Sequence, residues 1–192
     1  MDQIDSAIEQ AHRAFRQVPA AVIRATIQTE SSSRPDAYLE EAGGDGSIGL
    51  MQIRLSVAKN LGYGGTKANL FLPAVNVYYG TKLLNDLATR LKVGETGDWA
   101  AVASAYNGGI RPELGFSARV KKPTTVCLRR DPKTGHCVKS FTAQPGQFGN
   151  QPHVDRWLKN LGSKPVGGTV ALVVAAIIAL GALFKAGGIK SW

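Results

Sequence analysis

Ile23, Ile27 and Glu30 fall at i, i+4 and i+7 in the stretch "AVIRATIQTE". A helix that buries the two isoleucines must therefore carry the carboxylate on the same face. The partner surface has to accept apolar side chains and an acid together, which few folds offer. Burial disfavours the ionised form of a carboxyl group and raises its pKa. A glutamate tuned upward to about 6 is a usable general acid. The alternative is a glutamate at the edge of the stripe that simply meets water, and the spacing alone does not separate the two. Pro19 opens this helix, predicted over about 19–32. Pro35 ends it, because it disfavours helical geometry at Arg34.

The rest of the chain reads as further helices punctuated by glycine and proline. Ile4, Ile8, Ala11 and Phe15 form one stripe of a helix over about 3–16. Residues 40–48 are a glycine-rich loop, and "GLMQIRLSVAKNLG" reads as a short helix closed by Gly62. Asn76 to Leu91 forms a longer helix with Leu83, Leu84, Leu87 and Leu91 facing inward. Asp98 suits the N-cap of "WAAVASAYN", which Gly108 and Gly109 stop. From 111 to about 150, Pro112, Pro123, Pro132 and Pro145 indicate loops and a short hairpin. Helical order returns after Pro152, with Val154, Trp157, Leu158 and Leu161 on one face and Gly162 as C-cap. No internal repeat is visible.

Charge divides the chain unevenly. Residues 1–110 hold 10 Lys/Arg and 11 Asp/Glu, whereas residues 111–164 hold 11 and 3. The basic segment suits an anionic partner such as phospholipid, an anionic wall polymer or nucleic acid, or else serves solubility. Within it, Cys127 and Cys137 enclose "LRRDPKTGH", where Asp131, Pro132 and Gly135 supply turn chemistry. A disulfide across that turn, a pair of free thiols, and a metal site that adds His136 all remain open. No metal or cofactor is expected.

Residues 165–184, "PVGGTVALVVAAIIALGALF", contain no charged side chain and lie between Lys164 and Lys185. At about 1.5 Å per residue the run reaches ~30 Å, the thickness of a bilayer's hydrocarbon core. A transmembrane helix over 164–185, with a short tail at 186–192, is the expectation; a buried helix of a soluble protein is the alternative. The first residues, "MDQIDSAIEQ", are acidic and amphipathic, so no signal peptide is expected.

Three segments occur in a telling order: "TESSS" at 29–33, "GSIGLMQI" at 46–53 and "AVASAYNGG" at 101–109. Together they resemble the soluble lytic transglycosylase family, the peptidoglycan-cleaving branch of the lysozyme superfamily. "LFLPAVNVYYGTKLLNDL" is similar to the family's stretch between the second and third segments, with Asn76 and Gly80 in place. The likeness covers about residues 18–110 and, more faintly, 150–161. It departs near the end, where the family carries an aromatic residue and this chain has His153 in "NQPHVDRWLKNL".

The resemblance implies a mainly α, lysozyme-like (goose-type) domain over 1–163, with a small loop or hairpin region and a basic insertion at about 111–150. It implies Glu30 as sole catalytic acid and base, and Ser31 as a group that orients the carboxylate or substrate. Gly49, Leu50, Met51 and Gln52 would line a cleft. Tyr106 would hydrogen-bond near Glu30, and Asn107 would support the sugar site. The implied reaction is non-hydrolytic cleavage of the bond between N-acetylmuramic acid and N-acetylglucosamine, leaving 1,6-anhydro ends. A goose-type hydrolase that uses Asp36, Glu40, Glu41 or Asp45 to hold water is the second expectation. A non-catalytic virion or membrane component is the third. The partners expected are glycan strands, a membrane through 165–184, anionic lipid through 111–164 at roughly 1 kcal/mol per close Lys or Arg, and other virion proteins. The place expected is a phage particle's internal membrane, with action at the host cell wall; a bacterial envelope is the alternative.

Overall fold

The computed structural model describes residues 2–41 and 45–162. Helix α1 (Gln3–Ala14) buries Ala7, Ile8 and Ala11, with Ile4 and Phe15 packed at the margin of the core. Helix α2 (Ala20–Ser31) follows Pro19, and it ends where Ser32 enters the left-handed region at φ 55°. Its buried face holds Val22, Ile23, Ala25, Thr26, Ile27 and Ser31.

Three two-residue strands follow: β1 (Tyr38–Leu39), β2 (Ser47–Ile48) and β3 (Ile53–Arg54). They form an antiparallel sheet in the order β1–β2–β3. The stretch read as one helix from Gly49 to Gly62 is thus a turn, a strand and a shorter helix, α3 (Leu55–Asn60). Gly49 at φ 70° and Gln52 at φ 46° break the helical path, and Ile53 and Arg54 pair with β2 instead.

Helix α4 (Pro73–Arg90) begins three residues before Asn76, because Pro73 sits in its first turn with φ already set for a helix. Leu84 and Leu87 are buried, while Leu83 and Leu91 pack only partly against the core. A single turn, α5 (Val93–Thr96), leads to α6 (Trp99–Gly108), where Asp98 Oδ1 accepts from the Ala101 N–H at 3.1 Å. Strands β4 (Thr124–Arg130) and β5 (Cys137–Ala143) make an antiparallel hairpin. At its turn Asp131 Oδ1 accepts from the N–H groups of Lys133 and Thr134. Cys127 and Cys137 are joined as a disulfide across the hairpin, with Cα atoms 5.8 Å apart.

Helix α7 (Gln151–Gly162) buries His153, Val154, Trp157 and Leu161. Leu158, read as part of the inward face, is 44% exposed. The main core joins α1, α2, α4, α6 and α7. A smaller cluster of Ile48, Ile53, Ala58, Tyr63 and Leu70 lies under the three-stranded sheet.

The expected fold class needs correction. Among the described residues no helix is long and apolar enough to cross a membrane. The 18-residue α4 is amphipathic and carries Lys82, Asp86 and Arg90. The span read at 165–184 lies outside the described residues. Among the described residues the architecture is a mainly helical domain with one small three-stranded sheet and one hairpin.

Candidate active site

The turn between β2 and β3 is built around Asn76, which is fully buried on α4. Its Oδ1 accepts from the Met51 N–H at 2.7 Å. Its Nδ2 donates to the carbonyls of Ile48 and Leu70 at 2.8 and 2.7 Å. Gly49 is required here: at φ 70°, a Cβ would lie 2.5 Å from Asn76 Nδ2. Gly80 serves the same end, because a Cβ there would meet Met51 Sδ at 2.5 Å. Leu50 and Met51 are consequently core residues with no exposure. Gln52 turns its Nε2 back onto the carbonyls of Ala37 and Gly49.

Beside this turn lies a cleft of about 820 Å³, at the upper end of the ~300–1,000 Å³ usual for ligand sites. Leu39, Glu41, Ser47, Gln52, Ile53 and Arg54 line the sheet side. Leu83, Asp86, Leu87 and Arg90 come from α4, and residues 105–111 from the end of α6 and beyond. Glu30 and His153 also line it.

The Glu30 side chain is only 14% exposed. Burial raises its pKa from 4.5 to about 7; the Arg156 guanidinium opposes that shift and the Glu41 carboxylate adds to it. The net destabilisation is about 3 kcal/mol for the ionised form, at ~1.4 kcal/mol per pH unit. Burying Ile23 and Ile27 on the same stripe contributes roughly 1.5–3 kcal/mol each, which is enough to hold the acid in place.

Tyr106 donates from its hydroxyl to the Met51 carbonyl at 2.8 Å, which ties α6 to the turn. Burial, and then the nearby Glu30 charge, push that hydroxyl well above the usual tyrosine range. Asn107 is exposed at the cleft. Its Oδ1 accepts from Asn150 Nδ2 at 3.0 Å, and Asn150 also exchanges hydrogen bonds with Ser104. Ser31 is turned away: its hydroxyl donates to the Ile27 carbonyl at 3.2 Å, within its own helix.

Of the four acids weighed as a second carboxylate, Glu41 alone lines the cleft. Ser47 Oγ donates to its Oε1, and Arg54 Nε lies 3.3 Å from its Oε2. Asp45 instead accepts from Ser56. Asp86, Arg90, Arg111 and Arg156 were not singled out from sequence. Each is an ordinary charged residue on a helix or loop until the fold turns it toward the cleft.

The described residues thus form a mainly helical domain with a desolvated carboxyl group, Glu30, on the wall of an open cleft. The comparisons narrow this. The family model described as the transglycosylase SLT domain matches residues 6–123, well over half of the chain. The chain belongs to that family. It is 32% identical over 100 residues to a protein of Enterobacteria phage PRD1 named "Transglycosylase", a match covering 52% of this chain and 32% of that protein. Among solved structures, the lytic transglycosylase Slt of Pseudomonas aeruginosa, in an inactive mutant form, aligns with a TM-score of 0.48 at 20% identity. That alignment covers 98% of this chain and 25% of the other.

Proposed function

We propose that this chain is a peptidoglycan lytic transglycosylase that uses Glu30 as its only acid and base. The observation that carries the reading is a single desolvated carboxyl group, with a pKa of about 7, on the wall of a cleft in a domain of this family. Near neutral pH such a group is populated in both forms, as a residue that first gives and then regains a proton must be.

The protonated Glu30 gives its proton to the oxygen linking N-acetylmuramic acid to N-acetylglucosamine. The C1–O bond breaks through an oxocarbenium-like state. The Glu30 carboxylate then removes the proton from the muramoyl C6 hydroxyl as O6 bonds to C1. This restores the acid and leaves a 1,6-anhydro end. The attacking group already belongs to the substrate, so the step has the advantage of proximity. Gln52 and Asn107 line the cleft, which supports a role for both in meeting sugar hydroxyls and amides. Arg111 and Arg156 suit a polymer whose peptide stems carry carboxylates.

Glu41 gives the hydrolase reading a specific foothold, since a second cleft carboxylate can hold water. Both of its oxygens already have partners in Ser47 and Arg54, which favours the transglycosylase. The phage relative supports a further step: the chain travels with a virion and opens the host wall for genome delivery. The exposed Arg129, Arg130, Lys133 and Lys139 of the hairpin suit an anionic envelope surface.

The test is digestion of purified peptidoglycan followed by mass spectrometry. Anhydro ends, lighter by one water than hydrolysed ends, are expected with wild type and not with Glu30→Gln. Reducing ends alone would reject the transglycosylase reading.

A further inference from the structure

His153 and Glu30 are 123 positions apart in the chain and meet in the cleft. His153 Nε2 lies 3.6 Å from Glu30 Oε1. Both atoms are enclosed, and neither has a hydrogen-bond partner. The His153 side chain is 8% exposed. Glu30 Oε1 is the oxygen set against the imidazole, and both residues line the cleft.

The ring is held in that place from two sides. At the start of α7, the Asn150 side chain bonds to Ser104 and Asn107 of α6. Further along, Trp157 Nε1 donates to Thr26 Oγ1 at 3.0 Å, and Asn160 Nδ2 donates to Thr29 Oγ1 at 2.9 Å. His153, Trp157 and Asn160 thus present one face of α7 to α2. A gap of 3.6 Å is longer than a hydrogen bond, but such contacts around a reacting group tighten once substrate closes the site.

We infer that His153 is a positioning residue: its Nε2–H donates to Glu30 Oε1, which confines the acid's proton to Oε2, the oxygen the ring leaves free. A carbonyl oxygen and a carboxylate oxygen both accept, so one tautomer serves both states of Glu30 and no proton leaves the ring. The inference rests on the catalytic reading of Glu30. It is consistent with a neutral ring, because burial and the nearby Arg156 lower the His153 pKa to about 4. Arg156 on α7 and Glu41 beside the sheet act on Glu30, and Glu30 acts on Tyr106 of α6; the other charged groups lining the same cleft are Arg54 on β3, Asp86 and Arg90 on α4, and Arg111 beyond α6.

The experiment has two readouts. Nitrogen-15 spectra of the free wild-type protein should show His153 as the neutral Nε2–H tautomer from about pH 5 to 8; a ring protonated at Nδ1 instead would overturn the inference whatever the activity. On peptidoglycan, His153→Phe should lower kcat by about 10²-fold, the order expected when a reacting group loses its orientation, with KM changed by less than about twofold. Its activity should persist to higher pH than that of wild type, since the lost donor stabilised the carboxylate more than the acid. His153→Gln keeps an N–H donor and should recover much of kcat. His153→Phe with wild-type kcat and an unmoved pH profile would also overturn the inference. Wild type that leaves peptidoglycan uncut would defeat the functional reading, while the spectra would still decide the role of the ring.

Discussion

Glu30→Gln should change the stability of the protein by about 3 kcal/mol more favourably at pH 8 than at pH 4.5, at ~1.4 kcal/mol per pH unit. The folded state raises the Glu30 pKa from 4.5 to about 7, so it holds the proton more tightly than the unfolded chain does. Below the unfolded value both states are protonated, and the group costs nothing through ionisation. As pH rises from about 4.5 to 7 the unfolded chain ionises while the folded one resists, and stability falls throughout that window. Above it the loss is complete, at about 3 kcal/mol for ~1.4 kcal/mol per pH unit. Glutamine has nearly the same shape and no charge, so it removes this dependence. Its amide stays as enclosed as the carboxyl group was, and any cost of an unpartnered polar atom applies at both pH values and cancels in the difference. Urea denaturation of wild type and variant at pH 4.5 and 8 measures the quantity directly. A gain that is the same at both pH values would refute the claim that burial, not a specific partner, sets the state of Glu30. A variant less stable only at pH 8 would do so more strongly.

Two further outcomes test the frame around the site. Asn76→Ala leaves the Met51 N–H and the carbonyls of Ile48 and Leu70 without their partner; at about 1–3 kcal/mol per buried unpaired group, thermal or urea unfolding should show a loss of at least about 3 kcal/mol. Cys127→Ser opens a ring with a sequence separation of 10 and should cost about 3 kcal/mol in the chain-entropy picture. No residue of 124–143 lines the cleft, so wall-cleaving activity of the folded variant should match wild type while the hairpin becomes sensitive to trypsin.

The course of most helices was legible from local pattern. Pro19, Asp98 and Gly109 mark their boundaries through geometry that each residue imposes on its immediate neighbours. The stripe of Ile23, Ile27 and Glu30 aligned an acid with two apolar residues without deciding whether it is buried, and three short motifs in order pointed to the family. The segment from Gly49 to Arg54 was misread because its apolar residues look helical. Two positive-φ residues and a pairing with β2 decide it instead, and periodicity does not register either. The sequence pattern also put Leu158 inward and a membrane span into the fold class, neither of which the described helices bear out.

What the chain's order of residues determined by itself is therefore the course of most helices and the alignment of one acid with an apolar stripe, because helical periodicity and capping act over a few residues. What only the tertiary structure decided is the chemistry of that acid. Arg156 and His153 reach Glu30 from a helix remote in sequence, and Glu41 comes back to it from beside the sheet. Ser31, its direct neighbour, bonds to its own helix. Desolvation and Coulomb interaction depend on distance through space, so the raised pKa of Glu30, and the approach of His153 to its Oε1, exist only once α2, α6 and α7 are packed together.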